Sequence, residues 1–376
     1  MINLPYSDEL NIGYLSRLFD DTTNCYKFFW FQAILRKVDA GYQQFTFSDL
    51  IDEMICDAWY MVTECHLRLG PLNTKDNLEE VVKCIHKKYG TCFFENREKR
   101  LAFIRTIDDK EVRDHKYVLT QQVPYRLQAP FFEKPIPPKV WHGSKRVLAE
   151  KINTQNRLIY YFSFISGLGT IVEVNHLWME YLKKHKDILM GWTQLKLIQY
   201  LQRRNPSVPG IADKIEPPAS RDIARVRKYW KLIASIDPSL KDIYGELELA
   251  DMNISIDHFV PWQYVAHDEL WNLHPTTKGI NSSKSNSLPA WSQYFEPLGD
   301  LEFRAYELRA ECKAVALEFD EIAKYHLNNP EIKNQLYAGG LDRTAFKERL
   351  ENVIRPVYES AKLQGFKEWS YHEQND

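Results

Sequence analysis

Five residues in one stretch of the chain have types and an order that suit chemistry: Asp257-His258, then Asn272, Asn281 and Lys284. A carboxylate and an amide oxygen are hard donors. Mg²⁺ takes such donors while keeping waters and phosphate oxygens in its remaining positions. An imidazole with an ordinary pKa near 6.5 accepts a proton at neutral pH. A lysine three residues beyond Asn281 shares its helical face and reaches a phosphate. The set suits phosphodiester cleavage, in which a water loses a proton while charge grows on the phosphate and the leaving oxygen. Each residue also has a plainer reading: His258 as a core or surface histidine, Asn272 as a loop residue, Asn281 as a helix-starting polar residue and Lys284 as a solvated lysine.

These groups must be positioned by local structure. Short alternating runs, Ile243-Tyr244 and Ile254-Ser255-Ile256, sit on either side of Ala250-Asp251-Met252-Asn253, a hairpin pattern. Consecutive residues of a flat strand face opposite sides, so Asp257 and His258 act together only if the strand ends or bends there. Pro261, close behind, is consistent with a bend. A short helix is expected from about Asn281.

The run Ser255-Ile256-Asp257-His258-Phe259-Val260-Pro261, with Asn272 and the tail Asn281-Ser282-Ser283-Lys284-Ser285-Asn286-Ser287-Leu288-Pro289, resembles the HNH endonuclease motif. The likeness covers Tyr244 to Pro289. It is closest to the variant whose last ligand is Asn, as in the HNH domain of RNA-guided CRISPR effector nucleases. The resemblance implies a β-hairpin and helix gripping one divalent metal. Asp257 and Asn281 would be metal ligands, His258 the general base and Asn272 the residue that ties the base-bearing loop in place. Mg²⁺ is the expected cofactor, with Mn²⁺ or another divalent ion as a substitute, and zinc is not expected. More loosely, Thr23-Asn24-Cys25-Tyr26-Lys27-Phe28-Phe29 resembles the leading part of stand-alone bacterial HNH proteins.

One look-alike falls away. Gly279 to Ser285 is superficially like a phosphate-binding P-loop, but Ser283 stands where that motif needs Gly and no apolar strand leads in. His267 and His274 flank the motif without matching a position in it. His267 reads as loop surface, and His274 either as an ordinary core residue or as support for the site.

Around this segment the chain reads as mostly helical. The run Tyr26 to Leu35 is a dense apolar helix whose aromatics suit a core or a partner groove. A long helix follows, with Ser48 as the expected N-cap ahead of Ile51, Met54, Ile55, Ala58 and Trp59. Prolines 124, 130, 135, 137 and 138 suggest an extended connection over Leu119 to Val140. Two helices are expected over Ile171 to Leu201, a second break over Asn205 to Ser220, and helices over Asp300 to Leu327 and Ala345 to Leu363. The fold class expected is mainly α with a small α+β module, a helical body carrying one ββα-metal nuclease module. Its expected parts are an N-terminal helical domain (1–140), a middle helical region (141–240), the module (241–297) and a C-terminal helical region (298–376).

The chain has 376 residues, with 49 Lys plus Arg against 51 Asp plus Glu. That balance excludes a basic footprint over most of the surface, so any nucleic-acid site must be local. The candidate is a helix over Arg221 to Ser235 carrying Arg221, Arg225, Arg227, Lys228 and Lys231 against Asp222 alone. The aromatic share of 13% excludes global disorder. The longest uncharged apolar stretch, Leu158 to Val172, falls short of the ~20 residues of a membrane span. Met1 to Leu10 lacks a signal-peptide pattern. The six cysteines (25, 56, 65, 84, 92 and 312) form no CxxC pair, which fits free thiols in a reducing cytoplasm.

The reading is therefore a cytoplasmic, metal-dependent endonuclease acting on DNA, with RNA sharing the same chemistry. A monomer would nick, and a dimer would cut both strands. A role in bacterial defence against phage is the analogy that goes with it. The alternative is a nucleic-acid-binding or assembly protein that keeps the fold and is either silent or gated by a partner bound through the helical flanks.

Overall fold

The computed structural model describes residues 3–90, 96–218, 221, 223–245, 247–251 and 253–371. Cys92, Asp222 and Met252, which entered the sequence reading, lie outside them. The chain is mainly helical and divides into two compact units, residues 1–206 and 207–376.

In the first unit, α1 (Tyr26–Asp39) buries Phe28, Phe29, Trp30 and Phe31, so its aromatic run is core. Strand β1 (Gln44–Thr46) leads directly into α2 (Phe47–Thr63). Its N-cap is Thr46 rather than Ser48, because the Thr46 hydroxyl accepts from Asp49 N while the Asp49 carboxylate accepts from Thr46 N. This reciprocal pair satisfies two otherwise orphaned amides. Next come α3 (Asn77–Tyr89) and α4 (Lys110–Leu119).

The proline-bearing stretch after α4 is not one extended connection. It forms short helical turns at Val123–Arg126, Ala129–Phe131 and Pro138–Trp141, each with proline in the first two positions. The missing N–H costs nothing there. The apolar stretch after it forms β2 (Tyr160–Phe164) and contributes to β3 (Ile171–Val174), which pair antiparallel with each other and with β1 in the order β1-β3-β2. The helices expected from Ile171 therefore begin only at His176, because Ile171–Val174 is strand. Helices α5 (His176–Lys184) and α6 (Lys186–Arg204) close the unit.

In the second unit, α7 (Ala224–Ile236) buries Val226, Tyr229, Trp230 and Ile233. Each such side chain contributes roughly 1.5–3 kcal/mol by leaving water. Trp230 Nε1 donates to Leu273 O at 3.1 Å, fastening α7 to the hairpin of β4 (Ile254–His258) and β5 (Leu273–Thr277). The partner of β4 is therefore downstream. Ile243-Tyr244 is a turn instead, held by the Asp242 carboxylate, which accepts from Tyr244 N (2.9 Å) and Gly245 N (2.6 Å). Thr277 caps α8 (Lys278–Lys284), completing a strand–strand–helix unit.

The long helix expected over Asp300 to Leu327 is two, α9 (Trp291–Glu311) and α10 (Lys313–His326). They are separated at Cys312, whose backbone is extended (φ −125°, ψ 116°). Helix α11 (Arg343–Leu363) follows, and its Tyr358 hydroxyl donates to Pro289 O just beyond α8. No helix among the described residues is long and apolar enough to cross a membrane.

Candidate active site

Strand β4 runs unbroken through both Asp257 and His258: Asp257 pairs with His274 and His258 with Leu273 in one regular antiparallel register. The bend comes after His258, at Phe259 and Val260, and not between Asp257 and His258 as expected. The two side chains consequently have different partners on opposite faces of the strand.

On the Asp257 face, α8 lies against the strand. Asn281 and Lys284, one helical turn apart, both point to β4. Asn281 Nδ2 donates to Ser255 Oγ (3.1 Å) and Ile256 O (3.0 Å), which commits its nitrogen to the strand and leaves its oxygen for another partner. Lys284 is 1% exposed. Its ammonium lies 3.2 and 3.1 Å from the two Asp257 oxygens and donates to His258 O at 2.8 Å. This corrects its expected place as a solvent-facing phosphate contact: Asp257 is 4% exposed, and a carboxylate so buried requires a cation beside it.

The Tyr244 hydroxyl donates to Asp257 Oδ2 at 2.9 Å, and His274 Nε2 lies 3.1 Å from the same hydroxyl. Burial holds the His274 pKa down to about 4, so its ring is neutral near pH 7. Burial likewise lowers the Lys284 pKa, opposed by Asp257. Burial, with the Asp257 and Asp242 charges adding, pushes the Tyr244 phenol well above its usual value. The Asp257 carboxylate and the Asn281 amide oxygen are hard donors of the kind that Mg²⁺ takes, and the Asp257 charge is balanced here by the Lys284 ammonium.

On the other face, His258 Nε2 donates to Asp268 Oδ1 at 2.7 Å, an arrangement that fixes the tautomer and turns Nδ1 into the basic nitrogen. Burial lowers the His258 pKa, and the hydrogen bond and charge of Asp268 work against that. Burial raises the Asp268 carboxyl, but the His258 hydrogen bond and the His258 and Arg221 charges bring it below its ordinary range. The loop carrying Asp268 is pinned from α10: His326 Nδ1 donates to Asp268 O at 2.7 Å, and Asn328 Nδ2 donates to the Glu269 carboxylate at 2.7 Å.

Asn272, fully buried, bonds both backbone groups of Val260, its Nδ2 to the carbonyl (2.9 Å) and its Oδ1 to the N–H (2.7 Å). Together with Phe259 N donating to Asn272 O, this fastens the segment that leaves His258.

The basic residues expected on one helix do not form one row. Helix α7 begins at Ala224, so Arg221 precedes it; exposed, it lies over the Trp262 ring, 5.4 Å from the centroid, within electrostatic reach of His258 and Asp268. Arg225 stacks on Tyr325 (4.1 Å), and Lys228 pairs with Glu318 (2.6 Å). Arg227 is half-buried and Lys231 exposed.

Asp268 and Tyr244 carry no signal of their role in the sequence. Asp268 sits in an irregular loop where no periodicity links it to His258, and Tyr244 read as a strand residue. Residues 242–290, spanning the Asp242 turn, the hairpin and α8, match the model of the HNH endonuclease family. No curated protein and no solved structure matches the chain.

Proposed function

From the HNH endonuclease domain at residues 242–290, we propose that this chain is a metal-dependent endonuclease hydrolysing DNA phosphodiester bonds. The observation that supports the reading is the arrangement about β4: Asn281 is tied to the strand and Lys284 to Asp257 on one face, and His258 is hydrogen-bonded to Asp268 on the other.

In this account His258 takes the proton of the attacking water through Nδ1, with Asp268 holding the ring. Asn272 keeps the turn after His258 in place. Asp257 and Asn281 would hold Mg²⁺, which would supply charge neutralisation at the phosphate. Arg221, exposed beside the base, contacts the nucleic-acid backbone. One site cuts one strand, so a monomer nicks.

A partner-gated version is favoured by one observation. The Asp257 carboxylate is already engaged by Lys284 and Tyr244, so metal and ammonium compete for it.

The test is incubation of the protein with supercoiled plasmid and Mg²⁺, beside matched single-stranded DNA and RNA. The proposal expects relaxed circles with Mg²⁺ and none with EDTA. Absence of nicking with Mg²⁺ or Mn²⁺, together with DNA binding that persists in EDTA, overturns it in favour of a silent binding protein.

A further inference from the structure

The first unit carries a ligand set that the nuclease reading leaves unused. Helices α3 and α4 bring Cys84, Glu111 and His115 together so that one ligand atom from each lies within 4.8 Å of the others. Glu111 and His115 stand one turn apart on the same face of α4, with Cys84 opposite on α3. Cys84 and His115 are half-buried and Glu111 is exposed, so an ion has access from solvent.

We propose that Cys84, Glu111 and His115 form a binding site for a zinc-class transition-metal ion, separate from the nuclease centre. A thiolate, an imidazole and a carboxylate make the mixed soft and borderline set that Zn²⁺ or Co²⁺ takes, with water in the fourth position. Mg²⁺, which demands oxygen donors, is selected against. The two centres therefore differ in the class of metal they take: hard oxygens at Asp257 and Asn281, and a sulfur-containing set here.

The neighbours bear on the affinity. The Lys88 ammonium lies 2.8 Å from Glu111 Oε2 and also pairs with Asp109 at 2.8 Å. These are solvent-exposed pairs, so releasing Glu111 to a metal costs little while Asp109 retains the lysine. Zn²⁺ and Co²⁺ bind cysteine as the thiolate, so the Cys84 proton passes to solvent on binding. Asp109 caps α4 by accepting from Val112 N, so the helix end is satisfied without an ion. The metal would thus be an added clasp between α3 and α4, stabilising by mass action.

The experiment is titration of the chelator-stripped full chain with Co²⁺, reading the thiolate-to-cobalt charge-transfer band, followed by displacement with Zn²⁺. One equivalent per chain with a thiolate band is expected. Cys84→Ser should abolish the band, and His115→Gln should weaken Zn²⁺ binding by at least roughly tenfold. Asn281→Ala, which strands no buried charge, should leave the band intact. Absence of the band, its persistence in Cys84→Ser, or its loss in Asn281→Ala overturns the proposal.

Discussion

Asp257 and His258 are neighbours in one strand, yet their surroundings obey different rules. The Asp257 side is a closed charge balance, with a buried carboxylate, a buried ammonium, a phenol and a neutral imidazole. The His258 side is a hydrogen-bonded pair pinned from α10, with an exposed arginine beside it. Removing a partner on the first side leaves a buried charge uncompensated, so the fold suffers. Removing one on the second alters the proposed proton acceptor, so the expected loss is in rate.

The largest expected effect follows from the first side. Lys284→Met keeps the volume but strips Asp257 of its cation, which should cost about 3–5 kcal/mol in metal-free protein. Mg²⁺ binds the folded state, so it should restore part of that loss and stabilise the variant more than the native chain. Urea unfolding in EDTA and in Mg²⁺ measures both. Equal stabilities in EDTA would remove the charge balance from the account.

A smaller effect is expected for Asp268→Asn on the other side. It should lower kcat by ~100-fold with little change in KM, because the ring loses the carboxylate that fixes its tautomer. The sign of the pH effect follows from the charge. Asp268 raises the His258 pKa, so its removal moves the acid limb of the rate profile to lower pH. A limb displaced to higher pH would contradict this assignment. Stability should change less than in Lys284→Met, which is what separates the two faces.

Smaller again is Arg221→Ala, expected to weaken DNA binding severalfold and reduce the salt slope of log Kobs by about 1. Lys228→Ala should leave both unchanged, since Lys228 is already paired with Glu318. Equal effects from the two would restore the single basic row that the sequence suggested. A native slope as steep as ~6–10 phosphate contacts give would show a wider interface than this local one.

Much of the site was legible because its residue types are chemically restricted. Asp257, His258, Asn272 and Asn281 stand out by type and order, and the apolar runs of α1 and α2 mark the core of the first unit. Less visible was whatever depends on partners distant in sequence. Lys284 looks like a surface lysine until β4 closes over it, and Asp268 means nothing until α10 pins its loop against His258. The β4 partner is hard to see in the sequence because Leu273–Thr277 has no alternating pattern, while the alternating upstream run is turned aside by Asp242. The sheet in the first unit was missed because strand and helix are not distinguished by short apolar runs.

Whether one strand separates metal holding from proton transfer is decided by plasmid nicking with His258→Ala at saturating Mg²⁺. The rate should fall by about 10²–10⁴-fold, with Mg²⁺ binding by the same preparation unchanged. Cleavage at the native rate would remove His258 from proton transfer.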